Sequence, residues 1–157
     1  MLLNHHHRRG FTLLEVLLTI AIIAILAGIV IVAINPGKQL ADARNARRRA
    51  EVQTILNAVN QYMIDNSGNL PATFSIATCN TASTQEVCQE NNTTCTSLGK
   101  VNLTVLTTDQ KYLPALPVDP KATTSGGTGY YITQSANSRI TVCAPLAEQG
   151  ATISITR

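Results

Sequence analysis

The sequence predicts an α+β protein in which a long N-terminal helix, broken near Pro36, packs on a small antiparallel sheet. Three observations lead there. Residues 11–34 are apolar apart from Thr12, Glu15 and Thr19, and Glu15 is their one charge. Val52, Ile55, Val59 and Tyr62, joined by Leu56 and Met63, recur at helical spacing and form one stripe suited to a sheet. Residues 130–134, 139–144 and 152–156 concentrate or alternate β-formers, with Ser135-Ala136-Asn137-Ser138 and Glu148-Gln149-Gly150 as turns between them, which reads as three antiparallel strands.

The first helix is long enough to cross a bilayer. At about 1.5 Å per residue, residues 11–34 span roughly 36 Å against roughly 30 Å of hydrocarbon. Leu, Ile, Val and Ala occur all round it, so it is no surface amphipathic helix, and the segment belongs in a membrane or among other helices. An ordinary secretory signal has a shorter apolar core and small residues at a cleavage site after it. Here the core is long, and Ile25 stands where the site near Ala27 would need a small side chain.

Charge divides in the same way. Of 157 residues carrying a net +3, residues 1–50 hold seven Lys and Arg against Glu15 and Asp42, while 51–157 hold five against seven acids. The basic residues crowd at Arg8-Arg9 and between Arg44 and Arg49, flanking the apolar run rather than spreading over a folded surface, which argues against nucleic acid as a partner. Catalysis is equally unsupported: no His follows residue 7, no nucleophile motif is present, and the acids are scattered. His5 to His7 receive no function.

Arg8-Arg9-Gly10 followed by Phe11-Thr12-Leu13-Leu14-Glu15 and the apolar run resembles the class III signal of type IV prepilins and type II secretion pseudopilins. The resemblance extends through the helix to about residue 66. It implies that residues 1–10 are a leader, that a prepilin peptidase cuts between Gly10 and Phe11, and that the new Phe11 amine is methylated. It further implies that residues 11–34 anchor the chain in the cytoplasmic membrane and later form a filament core, delivered by an inner-membrane assembly platform to identical subunits outside the cytoplasm. Glu15 would neutralise the Phe11 amine of a neighbour. A carboxylate in hydrocarbon costs about 2.5 to 3.5 kcal/mol near mid-membrane and less near the interface, so it needs a partner. Three filament roles share this mechanism: surface pilus, secretion pseudopilus and DNA uptake. Outside that class stands a monomeric single-pass anchor carrying an extracellular binding head.

Asn35-Pro36-Gly37 interrupts the helical pattern, with Pro36 and Gly37 as the breaking residues. The helix is expected to resume over 38–66, ending at Asn66-Ser67-Gly68-Asn69, and its embedded half to begin near 47–51. Arg47-Arg48-Arg49 reads as a solvated face, with anionic headgroups or neighbouring subunits as other partners, since consecutive helical residues do not share a side.

Residues 67–157 form the head. Within it, 72–100 reads as a polar loop holding Cys79, Cys88 and Cys95, which with Cys143 make an even set suited to disulfides in an oxidising compartment. Three pairings are open. Zinc is disfavoured, because the gaps are too wide for a Cys-x2-Cys knuckle. Asn91, Asn92 and Asn102 open Asn-x-Ser/Thr triplets, which a Thr-rich chain produces by chance. Residues 103–113 fit either a short helix or a strand. Leu116-Pro117-Val118-Asp119-Pro120 resembles an element of the major pseudopilins, whose last region can hold calcium. Asp119 with the 125–129 loop is therefore a weak calcium candidate, and a turn capped by Asp119 fits better, because calcium takes six to eight oxygens and several carboxylates. No other cofactor is expected.

Overall fold

The computed structural model describes residues 10–79, 82–90, 92, 94, 95, 97–123 and 126–157. The chain divides into two compact units, one ending at Gln39 and the other covering Leu40–Arg157, and each is taken by itself.

The first unit is dominated by α1, Leu13–Ile34. Thr12 caps it: its backbone is extended and its hydroxyl accepts from the Glu15 amide at 3.2 Å. With Glu15 at the third helical position, Thr12-Leu13-Leu14-Glu15 has the pattern of a capping box. Asn35 ends α1 in the left-handed region, φ 47°, which Asn tolerates better than most residues.

The second helix, α2, then begins at once and runs Pro36–Asp65. The Asn35 carbonyl accepts from the amides of Lys38 and Gln39, and its side chain from Lys38. The interruption is therefore Asn35 alone. Pro36 and Gly37, expected to be the breaking residues, are the first two of α2. At a helix's first position an amide hydrogen is not needed and a fixed φ is helpful, so proline starts this helix, and by disfavouring helical backbone in Asn35 before it, it also ends the previous one. At the other end the Gly68 amide reaches back to the Met63 carbonyl at 2.8 Å, with Ser67 and Gly68 at positive φ, the geometry of a Schellman close.

In the second unit four antiparallel strands pair in chain order: β1 (Glu86–Cys88), β2 (Gly127–Gln134), β3 (Ile140–Cys143) and β4 (Ser154–Thr156). The expected strands at 130–134, 139–144 and 152–156 are β2, β3 and β4 with shifted ends. β1 was missed. It lies inside the supposed polar loop, and its Val87 is fully buried. Residues 103–113 take the helical alternative, as two short 3-10 helices, Thr104–Leu106 and Thr108–Gln110, that place Leu103, Leu106 and Leu113 in the core.

That core joins Val52, Ile55, Leu56, Ala58 and Val59 of α2 to Tyr130 and Ile132 of β2 and Ile140 and Val142 of β3. Tyr62 and Met63 pack at its edge. Embedding starts earlier than expected, since Ala41, Asn45 and Arg48 are already buried. Two disulfides cross-link the unit, Cys79–Cys143 and Cys88–Cys95.

Candidate functional site

The site expected from sequence is the start of α1. Gly10 lies in the open, with nothing near the position a Cβ would take, so the bond to Phe11 is unshielded in the described structure. All residues of α1 are exposed, and the helix is the one described element long and apolar enough to cross a membrane. Its polar side chains are Glu15 and Thr19. The Thr19 hydroxyl donates to the Val16 carbonyl at 2.8 Å, so it is satisfied within the helix and tolerable in hydrocarbon. The Glu15 carboxylate has no hydrogen bond or ion pair among the described residues. It sits with Phe11, Val16 and Thr19 around a shallow hollow on one helix face. His5 to His7, Arg8 and Arg9 lie outside the described residues, as does Asn91.

The head holds a second polar assembly, which sequence reasoning did not find. Arg48 is fully buried, and its guanidinium grips Asp119 with two parallel bonds, Nε to Oδ2 at 2.6 Å and Nη2 to Oδ1 at 3.0 Å. Its remaining nitrogen donates to Asn45 Oδ1 and Glu148 Oε2. Arg44 makes a second bidentate pair with Glu148, at 2.5 and 2.8 Å, and Lys121 Nζ adds a third cation at 2.7 Å. The Asn45 side chain donates to the Glu148 carbonyl and accepts from its amide, fixing the 144–151 turn to α2. The Arg44 hydrogen bonds, then that of Lys121, hold the Glu148 carboxyl well below the usual carboxylate range, although partial burial opposes them.

Arg48 is thus no part of a solvated face. Consecutive helical residues point about 100° apart, and the middle arginine falls on the buried stripe. Arg47 bonds Glu51 one turn on, and Arg49 is exposed. Asp119 is likewise no open cation ligand: Arg48 occupies both of its oxygens, and Oδ1 also accepts from the Lys121 amide at 2.8 Å. Ser125 of the proposed ligand loop is outside the described residues. The Asp119 side chain does cap a turn, as expected.

Burial pushes the Tyr130 phenol up, helped by its hydrogen bond to Glu51. Glu86, buried on β1, pairs with Lys100 and accepts from the Gly129 amide. A Cβ at Gly127 would overlap the Glu86 carboxylate, so a side chain there would require that carboxylate to move. These groups brace the head, and among the described residues no set of three His, Cys, Asp or Glu side chains could hold a metal.

The helix opened by Gly10-Phe11 is long and apolar enough to cross a membrane and carries one unpaired glutamate in its first turn. The family described as prokaryotic N-terminal methylation motif matches residues 5–31. The chain is also similar to type II secretion system core protein G of Escherichia coli (strain K12), 37% identical over 59 residues, which is 38% of this chain and 39% of that protein. The chain thus spans about two fifths of the relative's length. No solved structure matches it. Together the motif and the relative support the type IV pilin and pseudopilin family, whose members are structural subunits.

Proposed function

We propose that this chain is a structural subunit of a type IV pilus-like filament. Prepilin peptidase removes residues 1–10, Phe11 is N-methylated, and α1 passes from the cytoplasmic membrane through an inner-membrane platform into a core of identical helices. The observation that carries this is the unpaired Glu15 in the first turn of an exposed 22-residue helix whose one other polar side chain, Thr19, is bonded within the helix. The amine released at Phe11 would lie four residues before it, one turn away on the same face, so a neighbour displaced along the helix presents the missing cation. A buried charge without its partner is strongly destabilising, which selects the staggered arrangement over slipped ones.

A second reading, the major pseudopilin of a type II secretion or DNA-uptake system, is favoured by the similarity to core protein G. Loss of secretion without loss of surface fibres on deleting the chain would select it. The mildly acidic head makes DNA an unpromising partner, and salt-sensitive DNA binding by the full chain would overturn that expectation.

Intact mass of the protein from its native membrane tests the reading directly. The expected mass lacks residues 1–10 and carries one methyl group on Phe11. A full-length chain would instead support a monomeric single-pass anchor and sink the filament reading.

A further inference from the structure

Nearly every charged side chain on the head-embedded part of α2 has a partner: Arg44 and Arg48 hold Glu148, Arg47 holds Glu51, and Asp65 holds Lys111. Asp42 and Arg49 are the exceptions. Both are exposed, and neither makes a hydrogen bond or ion pair among the described residues. They are seven residues apart, which is two helical turns, so they lie on one side of α2 about 10.5 Å from each other. That distance is too great for pairing within the chain. Ala46 stands between them, at i+4 of one and i−3 of the other, and it is exposed too, so nothing bulky blocks approach along this line.

Local helix electrostatics account for the two charges only in part, since Lys38 lies one turn before Asp42. Asp42 is the seventh residue of α2, beyond the first turn where the helix dipole favours acids. Arg49 has Asn45 and Gln53 one turn to either side and so has no carboxylate within reach on its own helix. What the face does complement is itself. A second, parallel copy raised by two helical turns brings its Asp42 level with Arg49 of the first, opposite charges facing across small side chains.

We propose that this face is an interface between copies of this chain, in which Asp42 of one subunit pairs with Arg49 of the next. The proposal rests on the filament reading above and deepens it by naming a second contact. Its direction agrees with the first. Pairing Phe11 of a raised copy with Glu15 matches a lower-numbered residue of that copy to a higher-numbered one of its neighbour, and so does pairing Asp42 with Arg49. Each contact, read along its own helix, calls for displacement in the same sense. An inverted copy could satisfy either contact by itself, but the two contacts have different centres along the chain, so inversion does not give both.

Charge reversal in the full chain, expressed in its own assembly system, tests this, with filaments measured as sheared subunit and processing checked by intact mass. Asp42→Arg and Arg49→Asp should each lower yield by about fivefold or more, because like charges then face each other, and the double variant should return to within about twofold of wild type. Chains carrying Asp42→Cys co-assembled with chains carrying Arg49→Cys should cross-link as mixed dimers, which needs no charge reversal and reports the contact even if a reversed variant folds poorly. Single variants with wild-type yield, a double variant as poor as the worse single, or no mixed dimer would overturn the pairing. Absence of filaments from the wild-type chain would overturn the filament reading and this contact with it.

Discussion

Replacing each of Arg47, Arg48 and Arg49 in turn by Met should give one severe and two mild outcomes, although the three residues are chemically identical and adjacent. Arg48→Met leaves the Asp119 carboxylate fully buried, with the Lys121 amide as its remaining described donor. Removing one partner of a buried pair costs about 3 to 5 kcal/mol. For a head of this size, each kcal/mol lowers Tm by roughly 4 °C, so the midpoint should fall by about 12 to 20 °C. Arg47 reaches out to Glu51 with a largely exposed side chain, and Arg49 touches no charged group. Neither substitution should move Tm resolvably. The four tyrosines all lie in the head. Near-ultraviolet circular dichroism of the detergent-solubilised full chain, disulfides intact, therefore reports the head without interference from α1. Arg48→Met with Asp119→Leu should recover more than half of the loss, because an apolar pair leaves no stranded charge. An Arg48→Met midpoint within about 3 °C of wild type, a loss under 1 kcal/mol by the same conversion, would refute the structural role given to the pair.

Glu15→Ala should leave membrane insertion and N-terminal processing intact but abolish filaments, scored by intact mass and electron microscopy on one preparation; normal filament yield would remove the docking role. Acid should loosen the head: Glu148 is depressed from an ordinary value of 4.5, and a depressed carboxyl contributes stability above that value and loses it as pH falls towards the folded one. Tm should thus be level above about pH 5 and decline below about pH 4.5, with a shallower decline in Glu148→Gln, while Asp65, depressed chiefly by Lys111, keeps part of the slope. The disulfides should differ in worth, because Cys79–Cys143 joins residues 64 apart and Cys88–Cys95 residues 7 apart. Chain-entropy estimates give about 4 and about 2 kcal/mol, so Cys79→Ser with Cys143→Ser should lower Tm more than Cys88→Ser with Cys95→Ser.

How much could be read from the residues depended on whether the cause was local. α1 was legible because composition alone separates an all-apolar helix from an amphipathic one. The core stripe on α2 was legible from its period, and β2, β3 and β4 from β-formers between turns. Arg48 was not, because its partner Asp119 lies 71 residues away and nothing near either residue announces the other. A signal was nonetheless present: Arg48 is one turn before Val52 and seven residues after Ala41, so it continues the buried stripe. The divergence of consecutive helical residues dismisses a shared binding face, but does not by itself place the middle arginine on the buried stripe. β1 stayed hidden for a related reason. Its three residues include Glu86, whose burial depends on Lys100 and on the absence of a side chain at Gly127. The break near Pro36 was legible, but not the residue that carries it: proline disfavours helical backbone in the residue before it, so Asn35 leaves the helix while Pro36 opens the next one.

On the proposed reading, the two units solve different problems. The head has to remain folded both on a membrane-bound monomer and in a filament, and its core is sealed by long-range covalent and ionic cross-links that do not depend on neighbours. α1 has to exchange lipid for protein. Lipid tails are as apolar as Leu or Ile, so burying this helix among others gains little from the hydrophobic effect. A preference for the filament must then come from something that lipid satisfies badly. Thr19 does not supply it, since its hydroxyl is bonded within the helix. Glu15 does: a carboxylate that costs up to about 3 kcal/mol in hydrocarbon loses that penalty when a cation faces it. Because α1 offers no second unpaired polar side chain among its described residues, this one contact would set both the drive and the register of its packing. Glu15→Gln should therefore separate the two roles. The amide removes the buried charge, so assembly should be weakened and irregular in register where Glu15→Ala abolishes it. Uniform wild-type filaments from Glu15→Gln would show that charge pairing sets neither.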